Sequence, residues 1–138
     1  MTTLLNPYIN FTDNAHKAME FYQKVFGGKL EMNSFKEFGM ATTPEDENRV
    51  MHAQLTTDNG MVLMGSDTPA GMQYEQGSRV TITLSDNDEA ELRGYWNALT
   101  EGGNITLPLQ KSPWNDQFGM LVDKYGVKWM VNINALPA

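Results

Sequence analysis

From Asn6 to Phe11, polar residues alternate with apolar residues. Such alternation predicts a β-strand with Asn6, Tyr8 and Asn10 on one face and Ile9 and Phe11 on the other. The two faces therefore differ in character, and the second is suited to a core.

A helical pattern follows this strand. Between Asn14 and Phe26, apolar residues recur at helical spacing, which predicts a helix with one buried face. Asp13 is a candidate cap at its start, and Gly27-Gly28 predicts a left-handed end. The apolar stripe comprises Ala15, Ala18, Met19, Phe21, Tyr22, Val25 and Phe26.

The same order of patterns begins again in the second half. Alternation over Arg79–Leu84 predicts a strand, and Asp86 followed by Glu89 fits a capping box. A second glycine pair, Gly102-Gly103, predicts the end of the second helix, just as Gly27-Gly28 predicts the end of the first helix. The second apolar stripe comprises Leu92, Tyr95, Trp96 and Leu99.

Each half then contains a predicted hairpin. The first turns at Asp58-Asn59-Gly60 and the second over Asp123–Gly126. The first half is longer, and we predict that its polar segment Thr42–Asn48 is a surface loop. Each half therefore reads as a strand, a helix and about three further strands.

These two similar halves predict an α+β fold built from paired β-α-β-β-β modules. One helix and a short sheet cannot enclose a large core alone, so the modules should share one interior. We predict a single domain over residues 1–138, with module one at about 4–67 and module two at about 78–135. The curved mixed sheet should surround a cavity for a small ligand, with the helices outside.

Composition narrows the possible functions. The chain has no cysteine, which excludes disulfides, a cysteine nucleophile, iron–sulfur clusters and thiolate zinc sites. The net charge of −7 argues against binding nucleic acid or an anionic membrane, because both depend on clustered Lys and Arg. No signal-peptide pattern or long apolar segment is visible, so we predict a cytoplasmic protein with a small-molecule partner.

Two common catalytic motifs are missing from the sequence. There is no Gly-x-Gly-x-x-Gly turn to hold a nucleotide-like cofactor. There is also no Gly-x-Ser-x-Gly elbow for a hydrolytic serine. Nucleotide-cofactor chemistry and serine hydrolysis are therefore unsupported.

Five segments of the chain resemble a known protein family. They are Pro7–Phe11, Ala18–Gly28, Met51–Leu55, Trp114–Gly119 and Asp123–Trp129. In this order they are similar to the PhnB-like branch of the vicinal oxygen chelate superfamily, which includes glyoxalase I, extradiol dioxygenases and bleomycin-resistance proteins. The resemblance implies the paired-module fold. Some members bind a divalent metal ion in the cavity and others bind a ligand without metal, so the fold does not decide the function.

The resemblance places the metal-ligand positions of the family at about Asn6, Gln54, Arg79 and Met130. In metal-dependent relatives these positions carry His or Glu. Amides, a thioether and a guanidinium are poor ligands for a divalent cation. We therefore predict no family-type metal site and no cofactor.

His52 is the candidate catalytic residue. It lies two positions before Gln54 and thus on the same strand face, where an imidazole can contact a ligand or act as an acid or base. The structural alternative is a histidine that is hydrogen-bonded at the start of a strand. His16 lies among polar residues on the first helix and is predicted to be at the surface.

Aromatic, methionine and amide side chains suit a mostly apolar ligand that is held by a few polar contacts. Core packing is the alternative for the two methionines. Trp114 lies in a turn-rich segment, where a tryptophan serves as a lid, a dimer contact or a ligand platform. The predicted ligand contacts are Tyr8, Asn10, Gln54, Met64, Trp114, Phe118 and Met130.

The leading hypothesis is a small-molecule-binding protein without the family metal site. The alternative is a metal-dependent glyoxalase-type isomerase, lyase or dioxygenase that uses His52 with noncanonical ligands such as Glu31, Glu37 or a partner chain's carboxylate. Sequestration of a cationic antibiotic is compatible with the acidic charge. The resemblance also implies a homodimer, which is favoured by the apolar residues Met32, Phe35, Phe38 and Met40.

Overall fold

The computed structural model describes residues 4–72, 74, 77 and 80–135. The chain forms two compact units, residues 1–76 and residues 77–138. Within the described residues, each unit has one four-stranded mixed sheet and one α-helix. This architecture confirms the predicted α+β fold of repeated β-α-β-β-β modules.

In the first unit the strand order is β1-β4-β3-β2, where β1 is parallel to β4 and the other neighbours are antiparallel. The predicted hairpin joins β3 to β4, and the Thr57 amide donates to the Met61 carbonyl at 2.9 Å. The elements are β1 (Tyr8–Phe11), α1 (Ala15–Phe26), β2 (Lys29–Ser34), a 3₁₀ turn (Pro44–Asp46), β3 (Val50–Thr56) and β4 (Val62–Asp67).

The second unit repeats this topology with the order β5-β8-β7-β6 and a parallel β5–β8 pair. Its predicted hairpin joins β7 to β8. Among the described residues, no helix is long and apolar enough to cross a bilayer. The elements are β5 (Ile82–Asp86), α2 (Glu89–Thr100), β6 (Asn104–Lys111), β7 (Gln117–Val122) and β8 (Lys128–Ile133).

The core of the first unit lies between α1 and one face of its sheet. Helix α1 contacts β2, β3 and β4. Gly65 permits this contact, because a Cβ there would lie 3.2 Å from the Phe11 ring and 3.4 Å from Met19 Sδ of the helix. Ala53 and Leu55 are also buried on this face. The opposite face of the sheet is therefore not covered by α1.

The second unit is packed in the same manner. The ring of Trp96 on α2 lies against Gly119 of β7, where a Cβ would be only 2.7 Å from Trp96 Cη2. Trp129, Leu121 and Val131 are each at most 1% exposed. Side chains of neighbouring strand positions point to opposite faces. Phe118, which precedes Gly119, thus lies on the sheet face away from α2.

Both predicted helix caps are wrong in detail. Asp13 does not cap α1; Asn14 is the N-cap residue, and its side chain makes no capping bond. Helix α2 begins two residues later than the capping box suggested, since the Asp88 carboxylate accepts the Glu91 amide at 3.1 Å. Asp86 instead accepts the amide of the next residue. Several acidic residues near this start made the local pattern ambiguous.

Both first strands are shorter than the alternation predicted. β1 begins at Tyr8, so Asn6 precedes it. β5 begins at Ile82, and Val80 is 80% exposed, which shows that the alternation there does not face a core. Arg79 lies outside the described residues.

Candidate functional site

The first sheet brings together five of the predicted site residues on the face opposite α1. In the strand register, Tyr8 pairs with Met64 and Gln54 also pairs with Met64. Asn10 lies two positions after Tyr8, and His52 lies two positions before Gln54. Because side chains alternate along a strand, all five point to the same side.

The rings of Tyr8 and His52 contact each other on this face. Their ring centroids are 5.9 Å apart and the rings are tilted by 33°. Tyr8 is 44% exposed, so one side of the pair is open to a ligand. Gln54 Nε2 donates to Thr56 Oγ1 at 3.3 Å, which fixes its amide along the same strand.

A cavity of about 470 Å³ lies at one end of this face. β1 and β4 are parallel, so their final residues meet at one edge, and the cavity includes Asn10 with its register partner Ser66. Of the predicted contacts, Asn10 alone is among the described lining residues. The lining consists of Asn10, Phe35, Met51, Ser66, Asp67, Thr68, Pro69, Met72 and Tyr74.

Sequence reasoning missed most of this lining. Ser66 and Asp67 end a strand next to the end of β1, and the polar pair that follows Gly65 is a signal for them. The sequence interpretation placed Phe35 in a dimer contact. Met72 and Tyr74 follow the last strand of the unit in a segment without regular structure, for which no pattern gave a signal.

Asp67 joins three elements at the cavity wall. Its Oδ1 accepts the Ala15 amide at the start of α1, and its Oδ2 accepts the Val50 amide at the start of β3, both at 2.8 Å. The residue is 4% exposed. A buried carboxylate with two amide donors thus replaces the missing side-chain cap of α1 and holds the wall in place.

The predicted surface loop Thr42–Asn48 contributes a second buried carboxylate behind the cavity. Most of this segment is exposed, as predicted, but Asp46 is only 1% exposed. Its Oδ1 accepts Arg49 Nη1 and the Ala70 amide, each at 3.0 Å. Arg49 also donates to the Thr68 carbonyl at 3.4 Å. These bonds offset part of the cost of burying the carboxylate, whose Oδ2 is buried without a hydrogen-bond partner, and together they fix the segment that forms one wall.

The other predicted contacts lie in the second unit. Trp114 is 57% exposed and packs edge-on against Phe118, with ring centroids 5.5 Å apart. Its Nε1 lies 3.5 Å from Asn132 Oδ1. Met130 lies two positions before Asn132 on β8 and therefore on the same face of the sheet. Thr83 Oγ1 lies 3.8 Å from the sulfur of Met130.

Asp116 fixes this second cluster. Asn132 Nδ2 donates to it at 3.0 Å and the Ala135 amide donates at 2.7 Å. These two bonds, the one from Asn132 first, hold the pKa of Asp116 below its usual value. Asp123 has a comparable role in the β7–β8 turn, where it accepts Trp129 Nε1 at 2.8 Å. Both aspartates therefore hold structural contacts in the second unit.

The residues at the family's metal positions do not fit a divalent cation. Asn6 and Gln54 present amides and Met130 a thioether, which are weak ligands for such ions. The alternative carboxylates are engaged elsewhere: Glu31 pairs with Lys29 at 3.1 Å, and Glu37 accepts the Ser34 amide at 3.0 Å. In the described ranges, no three His, Asp or Glu side chains come together as a metal-binding group.

Comparison with known proteins agrees with this repeated fold. The family described as 3-demethylubiquinone-9 3-methyltransferase matches residues 3–132. The chain belongs to this family. Protein PA1353 from Pseudomonas aeruginosa is 36% identical, with a TM-score of 0.80 over 95% of this chain and 97% of that chain. The PhnB protein from Bacillus cereus is 26% identical, with a TM-score of 0.75 over 94% and 98%.

Protein YjdN from Escherichia coli is 27% identical over 94% of both chains. More distant structures share the fold alone. One is a glyoxylase/bleomycin resistance protein/dioxygenase domain from Frankia, with a TM-score of 0.69 at 10% identity over 100% of this chain and 96% of that chain. The predicted resemblance to the PhnB-like branch of the vicinal oxygen chelate superfamily is thereby confirmed.

Proposed function

We propose that this PhnB-like protein binds a small, partly apolar organic molecule in the cavity of its first unit. The observation that carries the proposal is the cavity itself. Its volume of about 470 Å³ lies in the range of about 300–1,000 Å³ that is typical of ligand sites.

The lining suits such a molecule chemically. Phe35, Met51 and Met72 supply apolar and polarizable surface, while the side chains of Asn10 and Ser66 lie side by side and can orient a ligand. The neighbouring Tyr8–His52 pair extends the site along the sheet face. His52 is then a ligand contact or an acid–base group at the edge of the cavity.

Ligand binding is tested by a small-molecule thermal-shift screen on wild type and three variants. Asn10→Ala is expected to weaken binding of a stabilising compound about twofold to tenfold, the effect of losing one hydrogen bond. His52→Ala tests the adjoining face. His16→Ala is the matched control, because His16 is exposed on α1 and pairs with Glu20. Equal binding by Asn10→Ala and His16→Ala would place the ligand elsewhere.

Metal dependence is the property that separates this proposal from the glyoxalase-type enzyme. We expect protein purified without chelator to contain no stoichiometric metal, and its Tm to stay constant when Ni, Zn, Mn or Fe(II) is added, because specific binding would raise Tm by mass action. Elemental analysis and thermal unfolding measure this. Stoichiometric metal that is lost in His52→Ala would favour the enzyme instead.

A further inference from the structure

The cavity has an asymmetric set of charges. Among its described lining residues, Asp67 is the one carboxylate, and none is Lys, Arg or His. Arg49 contacts the wall from behind through the Thr68 carbonyl, but it also forms an ion pair with Asp46. The described lining therefore contains one acidic residue and no basic residue.

The environment of Asp67 reduces this charge without cancelling it. Two amides donate to the carboxylate, and the first turn of α1 adds a positive dipole end of about half a charge. A carboxylate has about four acceptor positions, of which these amides use two. The side chain is 4% exposed and directed at the two amides, so its remaining negative charge acts on the adjoining cavity through space, and the low dielectric around a buried group strengthens that attraction.

The apolar lining is suited to a cation as well. The lining includes the aromatic residues Phe35 and Tyr74, and the face of an aromatic ring attracts an ammonium group. The sulfurs of Met51 and Met72 are polarizable. An anionic ligand would have none of these attractions, and it would be repelled by Asp67. The lining thus favours a positive head group on an apolar body.

The wider charge distribution acts in the same direction. Residues 1–76, which include the cavity, contain ten Asp and Glu but five Lys and Arg, so they carry most of the excess negative charge. Such a field raises the local concentration of cations and lowers that of anions. Long-range attraction and local contacts therefore select the same class of molecule.

Resting on the proposed binding function, we infer that the ligand of this cavity is an organic cation, an ammonium group on an aromatic or apolar body. Asp67 attracts the ammonium group through space, and the aromatic and methionine side chains enclose the body. Asn10 lies beside the head group, at the edge formed by the ends of β1 and β4.

The test compares three indole compounds that differ in the head group: tryptamine, tryptophol and indole-3-propionate. Titration calorimetry on the full chain is run at pH 8, where an ordinary histidine is neutral. Tryptamine should bind tightest and the carboxylate weakest. Added NaCl should weaken tryptamine binding but leave tryptophol binding unchanged.

Charge variants at position 10 keep the fold, because Asn10 is exposed on β1. Asn10→Asp should tighten tryptamine binding about fivefold and Asn10→Lys should weaken it about fivefold, the effect of one unit charge at contact distance in water. Asp58→Asn is the matched control, since it changes the net charge in the turn at the opposite end of the β3–β4 hairpin.

The outcomes separate the inference from the proposed function. If tryptophol or indole-3-propionate binds as tightly as tryptamine, or charge at position 10 has no effect, the cation preference is overturned while ligand binding stands. The same holds if the wider screen yields ligands but tryptamine does not bind. If no compound of either set binds the folded protein, the proposed function fails too.

Discussion

Replacing Asp67 with alanine is expected to destabilise the protein by about 3–6 kcal/mol, because two buried amides each lose a charged acceptor that contributes about 1.5–3 kcal/mol. These amides belong to Ala15 and Val50, at the starts of α1 and β3. The free energy of unfolding is measured by urea denaturation, followed by far-UV circular dichroism.

A loss of this size is comparable with the whole stability of a small protein, so Asp67→Ala can prevent folding altogether. Asp67→Asn is the second variant, since its one carbonyl oxygen can still accept one of the two amides. It should fall between alanine and wild type. Asp58→Ala, in an exposed turn, should change stability little. A loss in Asp67→Ala no greater than in Asp58→Ala would refute the role of this carboxylate.

The Asp67 contacts could not be predicted from residues that are close together in the sequence. Asp13 was the expected cap of α1 because it stands just before the apolar stripe. The acceptor that binds the Ala15 amide comes instead from the end of β4, far away along the chain. Parallel pairing of β1 with β4 brings that strand end beside the helix start. A rule for sequence neighbours contains no information about this pairing.

In the candidate site, too, some residues follow from the sequence pattern and others depend on contacts between distant segments. Alternation placed Tyr8 and Asn10 on one face of β1 and His52 with Gln54 on one face of β3, and the strand register confirms both faces. The cavity, however, draws most of its lining from strand ends and from segments without periodicity. The alternation of residues therefore predicts the sheet face but not the cavity.

The paired glycines are a third feature that the sequence predicts only in part. Both pairs follow the ends of the helices as predicted, but Gly27 does not form the predicted left-handed helical turn, because its φ of 74° is combined with an extended ψ of −169°. Gly27, Gly28 and Gly102 have positive φ, whereas a Cβ at Gly103 would overlap the Val122 carbonyl oxygen and lie 3.0 Å from Asp123 Cα. Sequence alone cannot separate a glycine needed for its φ from one needed for its missing side chain, because only neighbouring strands determine the available space.

Gly28→Ala is expected to cost about 3–5 kcal/mol, since backbone strain and overpacking act together. Its φ is +94°, and an added Cβ would overlap the Thr56 carbonyl oxygen and lie 2.6 Å from Thr57 Cα. Those atoms are backbone atoms at the end of β3, so they cannot rotate away. Urea unfolding of the full chain measures the loss.

Substitutions at two other glycines measure backbone strain and overpacking separately. Gly27 has a φ of +74° but no atom within 4 Å of an added Cβ, so Gly27→Ala should cost only the strain, about 1–2 kcal/mol. Gly103 lacks the positive φ but has the overlap, so Gly103→Ala should cost about 1–3 kcal/mol from overpacking. If Gly28→Ala costs no more than Gly27→Ala, the close approach of β3 to the helix end is not a constraint on the fold.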